Sequence, residues 1–167
     1  MELTHIDAKG NARMVDVSEK DITKREAIAK GKVSMKPETL DKIVEGNMPK
    51  GDVLATARIA GIMGAKKTYE LIPMCHNIPI DSVKVELTPN REESTLEITA
   101  IAKCTYKTGI EVEALTAVSI AALTIYDMCK AIDRGMIISD ITLVKKTGGK
   151  SGTFENKVES EKLKVES

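Results

Sequence analysis

Two runs of alternating apolar and polar residues, 80–87 and 95–107, flank the polar stretch Thr88-Pro89-Asn90-Arg91-Glu92-Glu93-Ser94, and this pairing constrains the fold more than any other feature. Successive strand side chains point to opposite faces, so each run carries one apolar and one polar side. Joined by a polar turn, the two runs form a β-hairpin whose apolar side needs a cover.

The rest of the chain supplies that cover and extends the sheet. Residues 37–44 form a short helix with Pro37 in its first turn and Gly46 at its end. Residues 53–69 form a longer helix with Asp52 as N-cap. On it Ala57, Gly61 and Ala65 are four apart, a stripe along which another backbone can approach closely. Thr108-Gly109-Ile110-Glu111 fits a capping box, and the apolar positions Leu115, Val118, Ala122, Ile125 and Cys129 continue it as the central helix. Residues 27–35 and 137–146 read as the first and last strands. The order of strand, helices, strand, strand, helix, strand specifies an α+β, ferredoxin-like split-βαβ sandwich. In it helices pack on one face of a mainly antiparallel four-stranded sheet. Residues 1–167 make one domain. Residues 1–19 read as a loosely attached arm, with at most a short strand at Met14-Val15-Asp16-Val17, and residues 153–167 as a flexible charged tail.

Composition narrows the partners. With Lys+Arg 25 against Asp+Glu 25 the chain has no net basic field, which argues against nucleic acid and membrane surfaces. Aromatic residues are only 2%, so a planar ligand must be held by hydrogen bonds and charge rather than by stacking. Three cysteines without a pairing pattern, no signal peptide and no long apolar segment point to a reducing, cytoplasmic setting.

The ionisable residues that stand out lie in apolar surroundings. Leu71-Ile72-Pro73-Met74-Cys75-His76-Asn77-Ile78-Pro79-Ile80 places one of two histidines beside one of three cysteines, bracketed by prolines. Such a run is ordinarily a turn entering a buried strand, with its histidine satisfied in the core. Adjacent strand residues face opposite ways, so Cys75 and His76 do not share a metal ion, and no CxxC or HxxxH spacing completes a zinc site; no metal is expected. His76 is instead expected to contact substrate.

Asp127 and Lys130 share a face of the central helix, where each adjusts the other's proton affinity. A surface ion pair is the ordinary reading of such a spacing. The apolar stretch Ala121-Ala122-Leu123-Thr124-Ile125-Tyr126 before it predicts partial burial. At the other end of that helix Glu111 has a capping role, whereas Glu113 has none beyond the favourable helix dipole. Lys50 precedes a helix N-terminus and suits a phosphate or leaving-group contact. Lys66-Lys67, Lys145-Lys146 and Lys150 read by default as solvent-facing. Thr147-Gly148-Gly149-Lys150-Ser151-Gly152 is no phosphate loop of the Walker type, because Val144 stands where glycine is required and no apolar helix follows.

Taken together these motifs resemble the molybdenum-cofactor biosynthesis protein C family over nearly the whole chain. The resemblance rests on Met14-Val15-Asp16-Val17, Lys50-Gly51-Asp52-Val53 with Ala55-Thr56-Ala57-Arg58-Ile59-Ala60-Gly61, the Leu71 to Ile80 segment, Thr108-Gly109-Ile110-Glu111-Val112-Glu113-Ala114-Leu115-Thr116, Tyr126-Asp127-Met128-Cys129-Lys130 and Gly148-Gly149-Lys150-Ser151-Gly152. The family usually has Leu where this chain has Met74 and commonly Pro where it has Asn77. The resemblance implies a lyase that converts 3′,8-cyclo-7,8-dihydroguanosine 5′-triphosphate, made by a partner radical GTP 3′,8-cyclase, into cyclic pyranopterin monophosphate and diphosphate. It implies Asp127, Lys130 and Lys50 as catalytic groups and Met74, Cys75, His76, Val112 and Glu113 as substrate contacts. No resident cofactor is implied, a Mg²⁺ ion on the substrate triphosphate being compatible. The family resemblance also implies a homohexamer, a trimer of dimers.

Helix geometry bears on that assembly. Glu113 and Asp127 are fourteen residues apart with neither Gly nor Pro from 114 to 128. At ~1.5 Å per residue they are separated by roughly 21 Å, so one small site uses both only if neighbouring subunits contribute opposite helix ends. The Ala57, Gly61 and Ala65 stripe is the expected close-packing surface for that contact. Two other classes fit the same fold: a nucleotide-binding regulatory module without turnover, and a structural assembly protein. The concentration of ionisable residues in apolar segments speaks against both.

Overall fold

A computed structural model describes residues 5–157; the expectations for residues 1–4 and 158–167, the start of the arm and most of the tail, lie outside the described residues. The expected hairpin is present and forms one side of the sheet, its first strand at the edge and its second inside it. Strand β1 (Thr23–Ser34) is followed by helices α1 (Pro37–Val44), α2 (Val53–Lys66) and α3 (Thr68–Leu71), then by β2 (Ile80–Asn90) and β3 (Thr95–Tyr106). Helix α4 (Glu111–Cys129), β4 (Ile137–Thr147) and the two-residue β5 (Phe154–Glu155) complete the chain. The sheet order is β2-β3-β1-β4-β5. Every neighbouring pair is antiparallel, so the first four strands have the split-βαβ arrangement expected from the sequence.

The hairpin is tighter than the polar stretch suggests. Pairing of β2 with β3 continues through Thr88 and Pro89 to Asn90, opposite Thr95, and the turn is confined to residues 91–94 with Ser94 at φ 52°. Pro89 is tolerated because β2 is an edge strand, where a missing amide need not break a ladder. The expected four-stranded sheet gains β5, in which Phe154 and Glu155 pair with Lys146 and Lys145. Two residues carry no periodicity, so the expected loose tail is in fact bound to the sheet at its start.

Alternate residues of β1 and β3 turn inward, with Ala27, Ala29, Val33, Leu96, Ile98, Ala100 and Ala102 fully buried. Small residues on the sheet let α4 lie close, and small residues on α2 let it lie close to α4. A Cβ added to Gly61 would stand 2.9 Å from the Ala117 carbonyl, and one added to Gly64 would stand 2.7 Å from Ile120 Cγ1. Ala57 and Ala65 are buried in the same contact. This corrects the expected role of the stripe: it packs α2 on α4 within one chain and is not left free for another subunit.

Three further expectations change. The capping box does not form, because the N-cap of α4 is Ile110 without a side-chain cap. The Glu111 carboxylate instead folds over Gly109, where a Cβ would meet its Oε2 at 1.9 Å. The helix expected over residues 53–69 ends at Lys66, where Lys67 at φ −107° and ψ 9° leaves helical geometry, and the four-residue α3 follows from Thr68. Asp52 does cap α2, its carboxylate accepting from the Ala55 amide at 2.9 Å. Finally, α4 is itself a long apolar segment, 19 residues at mean hydropathy 1.5, but it is the core helix under the sheet rather than an exposed span.

The described part of the arm forms no strand at Met14–Val17; outside an isolated bridge between Ile6 and Ala12 it is turns and irregular chain. It is tied down by side chains instead. His76 Nε2 donates to the Val15 carbonyl at 2.7 Å, and Lys107 Nζ donates to the Ser18 carbonyl at 2.6 Å.

Candidate active site

Helix α4 runs unbroken from Glu111 to Cys129 and carries a different set of ionisable groups at each end. At its C-terminal end Lys130 Nζ lies 2.8 Å from Asp127 Oδ1. Lys50, from the loop between α1 and α2, reaches the same carboxylate from the other side. Its Nζ donates to Oδ2 at 3.1 Å and to the Asp127 carbonyl at 3.2 Å. The two ammoniums, Lys130 first and Lys50 next, hold the Asp127 carboxyl below its ordinary range, and Asp127 in turn raises the affinity of Lys130 for its proton.

The partial burial expected for this pair is not present in the single chain, where the side chains of Lys50, Asp127 and Lys130 are 47%, 57% and 51% exposed. Ile125, Met128 and Cys129 take the inward face of the last turns, which leaves Asp127 pointing outward. Exposed ion pairs add little to stability, so nothing in folding requires two lysines to converge on one carboxylate. What the triad can do is hold an ionised carboxylate between two ammoniums and present positive charge to an anion.

The N-terminal end of α4 is the opposite environment. Glu113 is 3% exposed, and burial pushes its carboxyl up from 4.5 to about 7, with the neighbouring Glu111 charge adding to the rise. Its charge is felt by two thiols. Cys75 is raised first by burial and then by Glu113, and Cys104, also buried, is pushed up to about 11. A carboxyl that titrates near 7 is matched to proton transfer at neutral pH.

Met74 and Cys75 follow the turn after α3, with the Cys75 amide on the Ile72 carbonyl at 3.1 Å. Met74 and Val112 are 43% and 36% exposed, so both present apolar surface to solvent. His76 lines a groove of about 540 Å³ with Met14, Val15, Asp16, Tyr106 and Lys107. Its Nε2 is taken up by the Val15 carbonyl, which leaves Nδ1 as the ring nitrogen not used in holding the arm. The groove is built by the arm, whose attachment was not visible in the sequence pattern.

Arg25 was also missed, because the first strand begins at Thr23, ahead of the expected residue 27. Its guanidinium donates to the carbonyls of Tyr106 at 3.1 Å and Lys107 at 3.3 Å. Gly148 and Gly149 lie directly over it, at φ +92° and +76°, with room for no side chain: a Cβ would stand 2.3 Å from the Lys24 carbonyl and 2.5 Å from Arg25 Nη1. The Gly-Gly pair was the available signal. Lys145 and Lys146 are engaged rather than free, with Glu155 at 3.1 Å and with the Ser151 hydroxyl respectively. Among the described residues no three His, Cys, Asp or Glu groups lie close enough together to hold a metal ion.

The chain is thus an α+β protein of the split-βαβ type with an acid–base cluster at each end of its central helix. Comparison with known proteins gives that class a family: the model of the MoaC family matches residues 14–149, and the chain belongs to that family, as its motifs imply. It is 64% identical over 152 residues to the cyclic pyranopterin monophosphate synthase of Clostridium acetobutylicum, covering 91% of this chain and 94% of the relative. Identity to the same synthase of Peptoclostridium acidaminophilum is 61% over 155 residues, 93% and 98% of the two chains. For that of Thermoanaerobacter sp. it is 60% over 158 residues, 95% and 100%.

Proposed function

We propose that this protein is a lyase of molybdenum cofactor biosynthesis that converts (8S)-3′,8-cyclo-7,8-dihydroguanosine 5′-triphosphate to cyclic pyranopterin monophosphate with release of diphosphate. The observation that carries this reading is near full-length identity of about three residues in five to proteins that bear the synthase name. The chain acts as one catalytic unit of residues 1–167, in the cytoplasm, with three cysteines that are free thiols. Its substrate comes from a radical enzyme that cyclises GTP.

The chemistry asks for two things that the two clusters supply. Opening a guanine-derived ring and reclosing it as a pterin requires several proton transfers, and closing a cyclic phosphate while diphosphate departs requires positive charge on the leaving group. Asp127, Lys130 and Lys50 are the catalytic groups of this reading: the ionised Asp127 carboxylate holds the two ammoniums together, and they place positive charge on the phosphate chain as diphosphate leaves. Glu113 holds and returns a proton near neutral pH; His76, in the groove beside the arm, together with Met74, Cys75 and Val112, supplies the substrate contacts of this reading. No resident cofactor takes part, and any Mg²⁺ enters on the triphosphate.

Because α4 is continuous from Glu111 to Cys129, one subunit does not bring Glu113 and Asp127 to the same small ligand. We infer a homohexamer, a trimer of dimers, whose sites lie at subunit boundaries and combine opposite helix ends. The stripe on α2 is spent within the chain, so the contact uses other surface. Incubation with the cyclised nucleotide tests the function: the synthase releases diphosphate and a fluorescent pterin, whereas a regulatory module binds without turnover.

A further inference from the structure

Asp133 lies in the loop after α4, 3% exposed, and its carboxylate is fully engaged. Oδ2 accepts from the Lys36 amide at 2.9 Å and from the Thr39 hydroxyl at 3.1 Å, and Oδ1 accepts from the Gly135 amide at 3.2 Å. Burial alone would raise this carboxyl; the hydrogen bonds and the nearby Lys36 charge outweigh it and keep the group below its usual 3.8. Lys36 is the N-cap of α1 and offers no side-chain cap of its own. A carboxylate from ninety-odd residues away fills that place, where exposed amides and the helix dipole favour a negative charge.

The other end of the same segment returns to α4. Helix α1 ends at Val44, the Asn47 amide bonds the Lys42 carbonyl at 2.9 Å, and the Gly51 amide bonds the Met48 carbonyl at 3.0 Å. Met48, 6% exposed, anchors the loop in the core. Two residues later Lys50 meets Asp127. Residues 36–50 are therefore a strap tied at both ends around the C-terminus of α4, one end to Asp133 in the turn that follows the helix and one to Asp127 near its last turn.

We propose that Asp133 is a positioning residue for Lys50: by mooring the first turn of α1 it sets where the strap delivers the Lys50 ammonium on the Asp127 carboxylate. Lys130 needs no such help, because it continues α4 itself, its amide on the Tyr126 carbonyl at 2.8 Å. Asp133 touches none of the reacting groups. That Lys50 and Asp127 act in turnover rests on the function proposed above; that Asp133 places one against the other does not.

Two readouts separate these claims. The first is the titration of the Asp127 carboxyl, followed by carbon NMR in the full-length protein without substrate. In Asp133→Asn the Asp127 carboxyl is expected to move up toward its ordinary value as far as it does in Lys50→Ala, and combining the two changes is expected to move it no further. The second is turnover of the cyclised nucleotide, where misplacing one group by about 1 Å should lower kcat by ~10- to 100-fold with little change in KM. Thr39→Val removes one of the three hydrogen bonds and should give smaller changes in the same directions; it decides the matter if Asp133→Asn does not fold. A folded variant with the wild-type Asp127 titration overturns the proposal, whatever its kcat. If the wild-type protein shows no turnover while the titration still follows Asp133, the assigned reaction fails and the positioning role stands.

Discussion

Glu113 and Asp127 stand at opposite ends of one unbroken helix, fourteen residues apart and about 21 Å along its axis. One is buried and titrates near 7; the other is exposed and clamped between two lysines. If both serve one reaction, they do so from different copies of the chain. Mixing inactive Glu113→Ala protein with inactive Asp127→Ala protein under conditions of subunit exchange should restore part of the activity, since some boundaries regain one intact site. Verified exchange without recovery, or a fully active monomer, would refute a shared site.

Asp127→Ala and Lys130→Ala should each reduce turnover by ~100-fold or more while leaving thermal stability nearly unchanged. The second half follows from exposure, since neither side chain holds the core together. Near-normal activity in either folded variant would remove the triad from the mechanism.

Glu113 makes stability depend on pH in a stated direction. Its folded-state affinity for a proton is raised from 4.5 to about 7, so the native state binds more protons than the unfolded chain within that window. The associated stability is complete below about 4.5, declines as pH rises, and reaches its floor above about 7. Glu113→Gln carries no charge to bury, so its melting temperature should gain on the wild type from pH 5 upward and level off above about pH 7. A difference that stays flat across that range would mean that the carboxyl is not desolvated.

Packing of α2 on α4 gives a stability test. Gly61 faces a backbone carbonyl, which cannot move aside as a flexible side chain would, so Gly61→Ala should cost about 1–3 kcal/mol in chemical denaturation. An unchanged midpoint would show that the helices are not in the close contact described.

Much of this was legible in the sequence for physical reasons that can be named. Long alternating runs announced β2 and β3, and Pro37 with Gly46 bounded α1 to the residue, because periodicity and helix punctuation are local properties. The short β5 has no period, and the end of α2 at Lys66 is set by the backbone of a single residue, Lys67, that no pattern reveals. At the site, Lys50, Asp127 and Lys130 were visible as ionisable residues, but not that Lys50 spans 77 positions to reach Asp127. Their exposure was misjudged because the apolar residues before Asp127 bury the other side of the helix. His76 was visible as chemistry and invisible as an anchor for the arm, a contact across 61 positions.

The assigned reaction stands or falls on one measurement. Purified protein is mixed with (8S)-3′,8-cyclo-7,8-dihydroguanosine 5′-triphosphate, and diphosphate and pterin fluorescence are followed in the same sample. The account predicts that both appear together, one diphosphate for each pterin, and that Lys50→Ala protein forms neither at a comparable rate. Binding of the nucleotide without diphosphate release, by folded wild-type protein, would contradict it.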